Sequence, residues 1–175
     1  MLISLDPYNP ELWYLSDAVE ILRDGGVIAY PTDTVYGLGC DLFNKKAIER
    51  IYRIKKMPRP KPLSFICSDL THIAEYAKVN TVAYRMMKKL LPGPYTFILP
   101  ATHNVPRLML NKRRTVGIRV PDNIVARELV TQLGRPIIST SLSIDEDEPV
   151  SDPFKIYDNY KDEIDAIIDG GLLKT

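Results

Sequence analysis

Apolar and polar residues recur along this chain with two different periods. Short runs that alternate or are wholly apolar read as strands: "LISL" (2–5), "VIAY" (27–30), "LSFIC" (63–67), "YTFILPA" (95–101), "TVGIRVP" (115–121) and "PIISTSL" (136–142). "IDAIIDGG" (164–171) reads as one more. Between them, apolar residues three and four apart predict helices over 9–26, 44–56, 69–77, 80–91 and 123–134, and a short one over 105–111. In the first helix Val19, Ile21 and Leu22 share a face, and Gly25–Gly26 ends it. The second opens on Asn44 as N-cap and turns Ala47, Ile48, Ile51 and Ile54 inward. "PGP" stops the helix before it. The stretch "YPTDTVYGLG" (30–39) reads as the chain leaving the sheet, with glycines that permit a tight turn. No element is predicted between 143 and 163. Strands alternating with helices predict one α/β domain spanning 1–175, a twisted sheet with helices packed on it. Ligands of such sheets bind at the carboxyl ends of strands.

Composition sharpens this only in part. The chain is 45% apolar and 26% charged, which is ordinary for a globular protein, and no apolar run is long enough to span a bilayer. The N-terminus has no basic segment followed by an apolar one, so no signal peptide is expected. Cys40 and Cys67 read as buried free thiols, and a cytoplasmic location is expected. The net charge of +1 hides a segregation. Residues 45–61 hold eight Lys or Arg against one Glu, and residues 145–169 hold ten Asp or Glu against two Lys. The basic segment predicts a surface for RNA or another polyanion, formed by Lys45, Lys46, Arg50, Arg53, Lys56 and Arg59. The acidic segment could fold back over it.

Three strand ends carry candidate chemistry. "VIAY" runs into PTDT, "TVGIRV" carries Arg119, and "PIISTSLS" places Ser139, Thr140, Ser141 and Ser143 together. Hydroxyls beside a basic helix suit phosphate or carboxylate ligands, although such residues also make turns and caps. No P-loop and no GxSxG pattern is present. His72 and His103 have no partner at metal-ligand spacing, so no metal site is expected.

Taken together, "GGVIAYPTDTVYGLGCD", "IYRIKKMPRPKPLSF", "LLPGPYTFIL", "TVGIRVPDN" and "RPIISTS" resemble, in order and spacing, the YrdC/TsaC family of threonylcarbamoyl-AMP synthases. The resemblance runs from about residue 10 to "IDAIIDGG". It implies a twisted open mixed sheet, with helices packed on it, around a basic cavity, and a reaction joining L-threonine, bicarbonate and ATP. Magnesium accompanies the ATP, and no prosthetic group is implied. The product supplies a modified adenosine of tRNA, and double-stranded RNA binding is also implied. By resemblance, Thr32 contacts the amino acid and Arg119 holds its carboxylate through two donors. Lys55 matches the lysine of a KxR motif that meets the nucleotide phosphates, with Lys61 beside it. Ser141 matches the serine of an SxN motif. Lys55 and Ser141 are thus the expected catalytic residues, and Lys55, Lys61, Ser141 and Ser143 the nucleotide contacts.

The departures fall in those motifs. Met57 stands where KxR has arginine, Ser143 where SxN has asparagine, and Ile66 at a position that is often histidine. The pattern is similar to the YciO-type branch of the family. Losing one donor to developing charge costs about 10²–10³ in rate, so weak synthase activity is expected. The competing expectation is a non-catalytic protein that binds double-stranded RNA or nucleotide. The resemblance also implies a last strand after "GG" that closes over the nucleotide, but the sequence ends at "GGLLKT". Either the sequence is cut short there or the strand is missing; a missing strand would leave an unpaired edge that a second copy could cover, so a homodimer is the expectation in that case.

Overall fold

The computed structural model describes residues 1–58, 61–144 and 148–174. Its strands are β1 (Leu2–Ser4), β2 (Ile28–Tyr30), β3 (Gly37–Asp41), β4 (Ser64–Ile66), β5 (Phe97–Pro100), β6 (Thr115–Arg119), β7 (Ile137–Ser141) and β8 (Ala166–Asp169). They form one mixed sheet in the order β1-β8-β2-β3-β7-β4-β6-β5. The helices are α1 (Ser16–Arg23), α2 (Lys45–Ile54), α3 (Leu70–Tyr76), α4 (Thr81–Leu90), α5 (Ile124–Leu133) and α6 (Pro153–Tyr160).

Two-residue alternation splits the core across the sheet. Ala29, Leu38, Phe65, Ile118, Ile138 and Ile167 point to one face, where Ile48 and Ile51 of α2, Ile73 of α3, Met87 of α4 and Ile156 of α6 cover them. Ile28, Tyr30, Ile66, Ile137 and Ile168 point to the other, against Val19 and Leu22 of α1 and Leu129 and Val130 of α5. Cys40 and Cys67 are free and buried.

The caps follow the local sequence. Side chains of Asn44, Asp69, Asn80, Asn123 and Asp152 each accept a backbone N–H at the start of a helix. At the end of α1, Gly25 adopts φ 85°, with Gly26 N–H bonded to the Ile21 carbonyl and Gly25 N–H to that of Leu22. The end of α2 repeats this pattern with a lysine. Lys56 sits at φ 49°, Met57 N–H bonds the Tyr52 carbonyl, and Lys56 N–H that of Arg53.

Four expectations change. The first helix is shorter, because Leu12–Leu15 form a 3-10 turn before α1 begins; residues 107–109 are likewise 3-10 rather than α. Residues 37–41 are a strand, not a turn: Gly37 and Gly39 pair with Tyr30 and Ile28 of β2 and with Ser141 and Ser139 of β7. Helix α6 lies within the acidic segment, where no element was expected; Asp152 as N-cap and Pro153 in the first turn were its local signal.

Candidate functional site

The site lies on the α1/α5 face of the sheet. In register across β3, β7, β4 and β6 lie Gly39, Ser139, Ser64 and Gly117. This row carries no side chain larger than serine. The next row, Asp41, Ile137, Ile66 and Arg119, is bulky again. A cavity of about 60 Å³ lies beside the two serines of this row, lined by Tyr30, Thr32, Tyr36, Ser64, Ile66, Arg119, Ser139, Thr140 and Ser141 among others. Tyr30 and Ile137 fill the space over Gly39, and Thr96 and Ile98 that over Gly117.

The glycines of β3 serve close approach. A Cβ on Gly37 would stand 2.9 Å from Tyr30 Cζ, and one on Gly39 2.6 Å from Ile137 Cγ2. The Tyr30 ring lies across this strand, and its hydroxyl donates to Ser139 Oγ at 2.6 Å. Burial pushes the Tyr30 phenol up to about 12, so it remains a donor at ordinary pH.

Strand ends alone do not assemble the cavity. Strand β6 pairs parallel with β4, which runs antiparallel to β7, so the carboxyl ends of β6 and β7 point opposite ways. The loop 31–36 makes the connection. Thr32 Oγ1 donates to the Val35 carbonyl at 2.6 Å and accepts from Thr34 N–H at 3.1 Å, which ties the loop into a tight turn. Arg119 Nη2 then donates to Asp33 Oδ1 and to Thr34 Oγ1. Thr32 is buried at the cavity wall with its hydroxyl engaged within the loop. Arg119 reaches the cavity with Asp33 on one edge of its guanidinium.

The other expected residues gather beyond the end of β7. Ser141 is exposed and lines the cavity. Two residues on, Ser143 Oγ accepts from Lys55 Nζ at 2.5 Å, and the Ser143 carbonyl accepts from Tyr160 OH at 2.6 Å. Partial burial, then the nearby charge of Lys61, holds the Lys55 ammonium below the ordinary lysine range. Lys61 itself is exposed. Met57 packs against the core beside the outer face of α2 as part of its C-terminal cap. Ile66 is buried in the cavity wall.

The basic surface is a separate feature. A groove of about 600 Å³ on α2 is lined by Lys46, Glu49, Tyr52, Arg53, Lys56 and Met57. Lys45 is exposed nearby on the same helix. Arg50 instead pairs with Asp165 at 2.5 Å and donates to the Glu163 carbonyl at 2.6 Å. The acidic segment therefore touches the basic helix at Arg50. Arg59 lies outside the described residues. Sequence reasoning missed Asp33, Tyr30 and Tyr160; Asp33 had the one usable signal, its place between Thr32 and Thr34 in "PTDT".

No group of three or more potential metal-binding side chains occurs among the described residues. No helix there is long and apolar enough to cross a membrane.

Residues 20–175 match the sequence profile of the Sua5/YciO/YrdC family, described as "Telomere recombination". The crystal structure of E. coli YciO superposes with a TM-score of 0.94 at 45% identity, covering 99% of this chain and 85% of that one. A threonylcarbamoyl-AMP synthase of Hydrogenovibrio crunogenus is 37% identical over 147 residues, 82% of this chain and 79% of its own length. Sua5 of P. abyssi, solved in complex with L-threonine, superposes with a TM-score of 0.92 at 30% identity over 99% of this chain and 51% of that one. On the breadth of the profile match and on relatives of this similarity across most of its length, the chain belongs to the Sua5/YciO/YrdC family.

Proposed function

We propose that this protein makes threonylcarbamoyl-AMP slowly from L-threonine, bicarbonate and ATP, for threonylcarbamoyladenosine formation in tRNA. The observation that carries the reading is convergence: Thr32, Arg119 and Ser141, far apart in sequence, line one cavity. At about 60 Å³ the cavity suits the head group of an amino acid, whereas nucleotide pockets are several-fold larger. On this reading the nucleotide would sit outside it, and the Lys55–Ser143 contact supports a place for its phosphates there. In the reaction the threonine amine takes up bicarbonate and releases water. The carbamate oxygen then attacks the α-phosphorus, and pyrophosphate leaves. Arg119 would hold the threonine carboxylate, and Lys55 would counter phosphate charge. Magnesium would enter with the phosphates, and no residue of the chain is assigned to it.

The test is to incubate the protein with ATP, L-threonine, bicarbonate and magnesium and to assay threonylcarbamoyl-AMP chromatographically. We expect threonine-dependent product, lowered about 10²-fold in Lys55→Ala. Product equal in the variant and the wild type would refute the role of Lys55. No threonine-dependent product from the wild type would refute the reaction.

A second reading, a non-catalytic RNA- or nucleotide-binding protein, is favoured by one observation. Met57 serves as a helix cap beside a basic groove, so no guanidinium stands at that motif position. Affinity for double-stranded RNA that does not change between low and high salt would exclude phosphate-driven binding.

A further inference from the structure

Two helices meet at one serine. Lys55 closes α2 as its C-cap, and Tyr160 is the last residue of α6. Ser143 binds both. Its hydroxyl accepts from Lys55 Nζ at 2.5 Å, and its backbone carbonyl accepts from Tyr160 OH at 2.6 Å. The chain on either side is pinned by backbone bonds: Leu142 N–H bonds the Tyr36 carbonyl at 2.8 Å, and Val150 N–H that of Leu142 at 3.0 Å. Among the described residues, Tyr160 is the partner of the Ser143 carbonyl and Lys55 that of its hydroxyl.

The two ends of this relay differ in rigidity. Tyr160 is 9% exposed and packs in the core with Ile156, one turn before it on α6. Its own carbonyl accepts from Glu163 N–H at 2.9 Å and Ile164 N–H at 3.1 Å. Burial, then the charge of Glu163, raises its phenol above the ordinary tyrosine range, so it stays a donor. Lys55 is half-buried, and its ammonium rests on a neutral hydroxyl, with no carboxylate paired to it among the described residues. A lysine side chain that moves freely must give up its rotamers to grip an anion. One already held in place does not, which is worth about two- to tenfold in affinity.

We infer that Tyr160 is a positioning residue for the nucleotide: it fixes Ser143, and Ser143 fixes the Lys55 ammonium where the phosphates arrive. The inference rests on the reading above that the phosphates lie at the Lys55–Ser143 contact. It gives α6, a helix of the acidic segment, a part in the site.

The experiment is calorimetric titration of the purified protein with α,β-methylene-ATP and magnesium, and separately with L-threonine. It is run on the wild type, Tyr160→Phe, Ser143→Ala, Lys55→Ala, and the double variant of Tyr160→Phe with Lys55→Ala. Tyr160→Phe keeps the ring in the core and removes only the donor. We expect it to lose about two- to tenfold for the nucleotide and to bind threonine as the wild type does. Ser143→Ala should lose a similar factor for the nucleotide. Lys55→Ala should lose at least about tenfold, and the double variant no more than Lys55→Ala alone, because Tyr160 acts through Lys55. Losses that multiply in the double variant would overturn the inference, since Tyr160 would then act by another route. Equal losses for nucleotide and threonine in Tyr160→Phe, the mark of a general structural role, would overturn it too, as would unchanged nucleotide affinity. Ser143→Ala with unchanged nucleotide affinity would overturn it without any Tyr160 variant, and so decides the matter if Tyr160→Phe does not fold. Each of these results leaves the synthase reading intact as long as Lys55→Ala loses affinity. Wild-type protein that does not bind the nucleotide, or Lys55→Ala that binds it equally well, would refute the nucleotide reading and the inference with it. Wild-type protein that binds the nucleotide but not threonine would refute threonine as the substrate, and the nucleotide losses alone would then decide for or against Tyr160.

Discussion

At the scale of single residues, the site depends on side chains whose partners lie far away in sequence. Tyr30 is the clearest case, because its hydroxyl has a buried partner, Ser139 Oγ. Tyr30→Phe should cost about 1 kcal/mol, the net worth of such a bond, and lower Tm by about 2–4 °C. Its pH signature follows from the raised phenol, which stands at about 12 in the fold against 10 for a free tyrosine. Between those values the unfolded chain has lost the proton and the folded chain keeps it, so the unfolded state binds fewer protons. Stability therefore falls as pH rises above 10, and the fall runs up to about 12. Urea melts across that window should decline less steeply for Tyr30→Phe than for wild type; an unchanged slope would contradict the assignment.

At the scale of elements, the two capped helices form a natural comparison. Helices α1 and α2 close with the same pair of backbone hydrogen bonds, but α1 places Gly25 at the left-handed position and α2 places Lys56. A side chain there crowds the backbone, and glycine does not. Lys56→Gly should stabilise the protein by about 1 kcal/mol and raise Tm by about 2–4 °C, read by calorimetry. A lower Tm would mean that the Lys56 side chain supports the cap. Strand β3 teaches a second lesson. "GLG" reads as a turn because glycine disfavours strands. It is a strand because Gly37 and Gly39 lie under the Tyr30 ring and Ile137, where any Cβ would collide. The reason is in part Ile137, which lies outside any local window, and in part the packing of the Tyr30 ring back over its neighbouring strand, which only the fold decides.

At the scale of the whole molecule, the segregated charge of the sequence resolves into two different uses. Arg50 is held by Asp165, whose Oδ2 also accepts the N–H of Val27, while Lys46, Arg53 and Lys56 line the outer groove. The two kinds of residue should separate in a titration of double-stranded RNA against salt. Lys46→Ala should reduce the slope of log affinity against log salt by about 0.7–0.9, one phosphate contact. Arg50→Ala should leave that slope unchanged and lower stability by about 0.5–1 kcal/mol. A slope that drops in Arg50→Ala would return Arg50 to the binding surface.

The residues by themselves determined what short-range physics governs. Helix periods placed α2 to α5, and Asn44 and Gly25 act as caps as their local sequence dictates, because a cap involves only neighbours three or four positions away. The motif order carried the family and pointed to Thr32, Arg119 and Ser141 at one cavity, and the strand pattern carried the α/β class. The tertiary structure decided the rest. Register across β3, β7, β4 and β6 lined up Gly39, Ser139, Ser64 and Gly117 and brought the two serines of that row to the cavity wall. The loop 31–36 carried Asp33 onto Arg119 in a sheet whose strand ends diverge. Arg50 was drawn onto Asp165 and the Glu163 carbonyl. These outcomes depend on which distant residues meet, and that is set by packing the whole sheet rather than by any stretch of the chain.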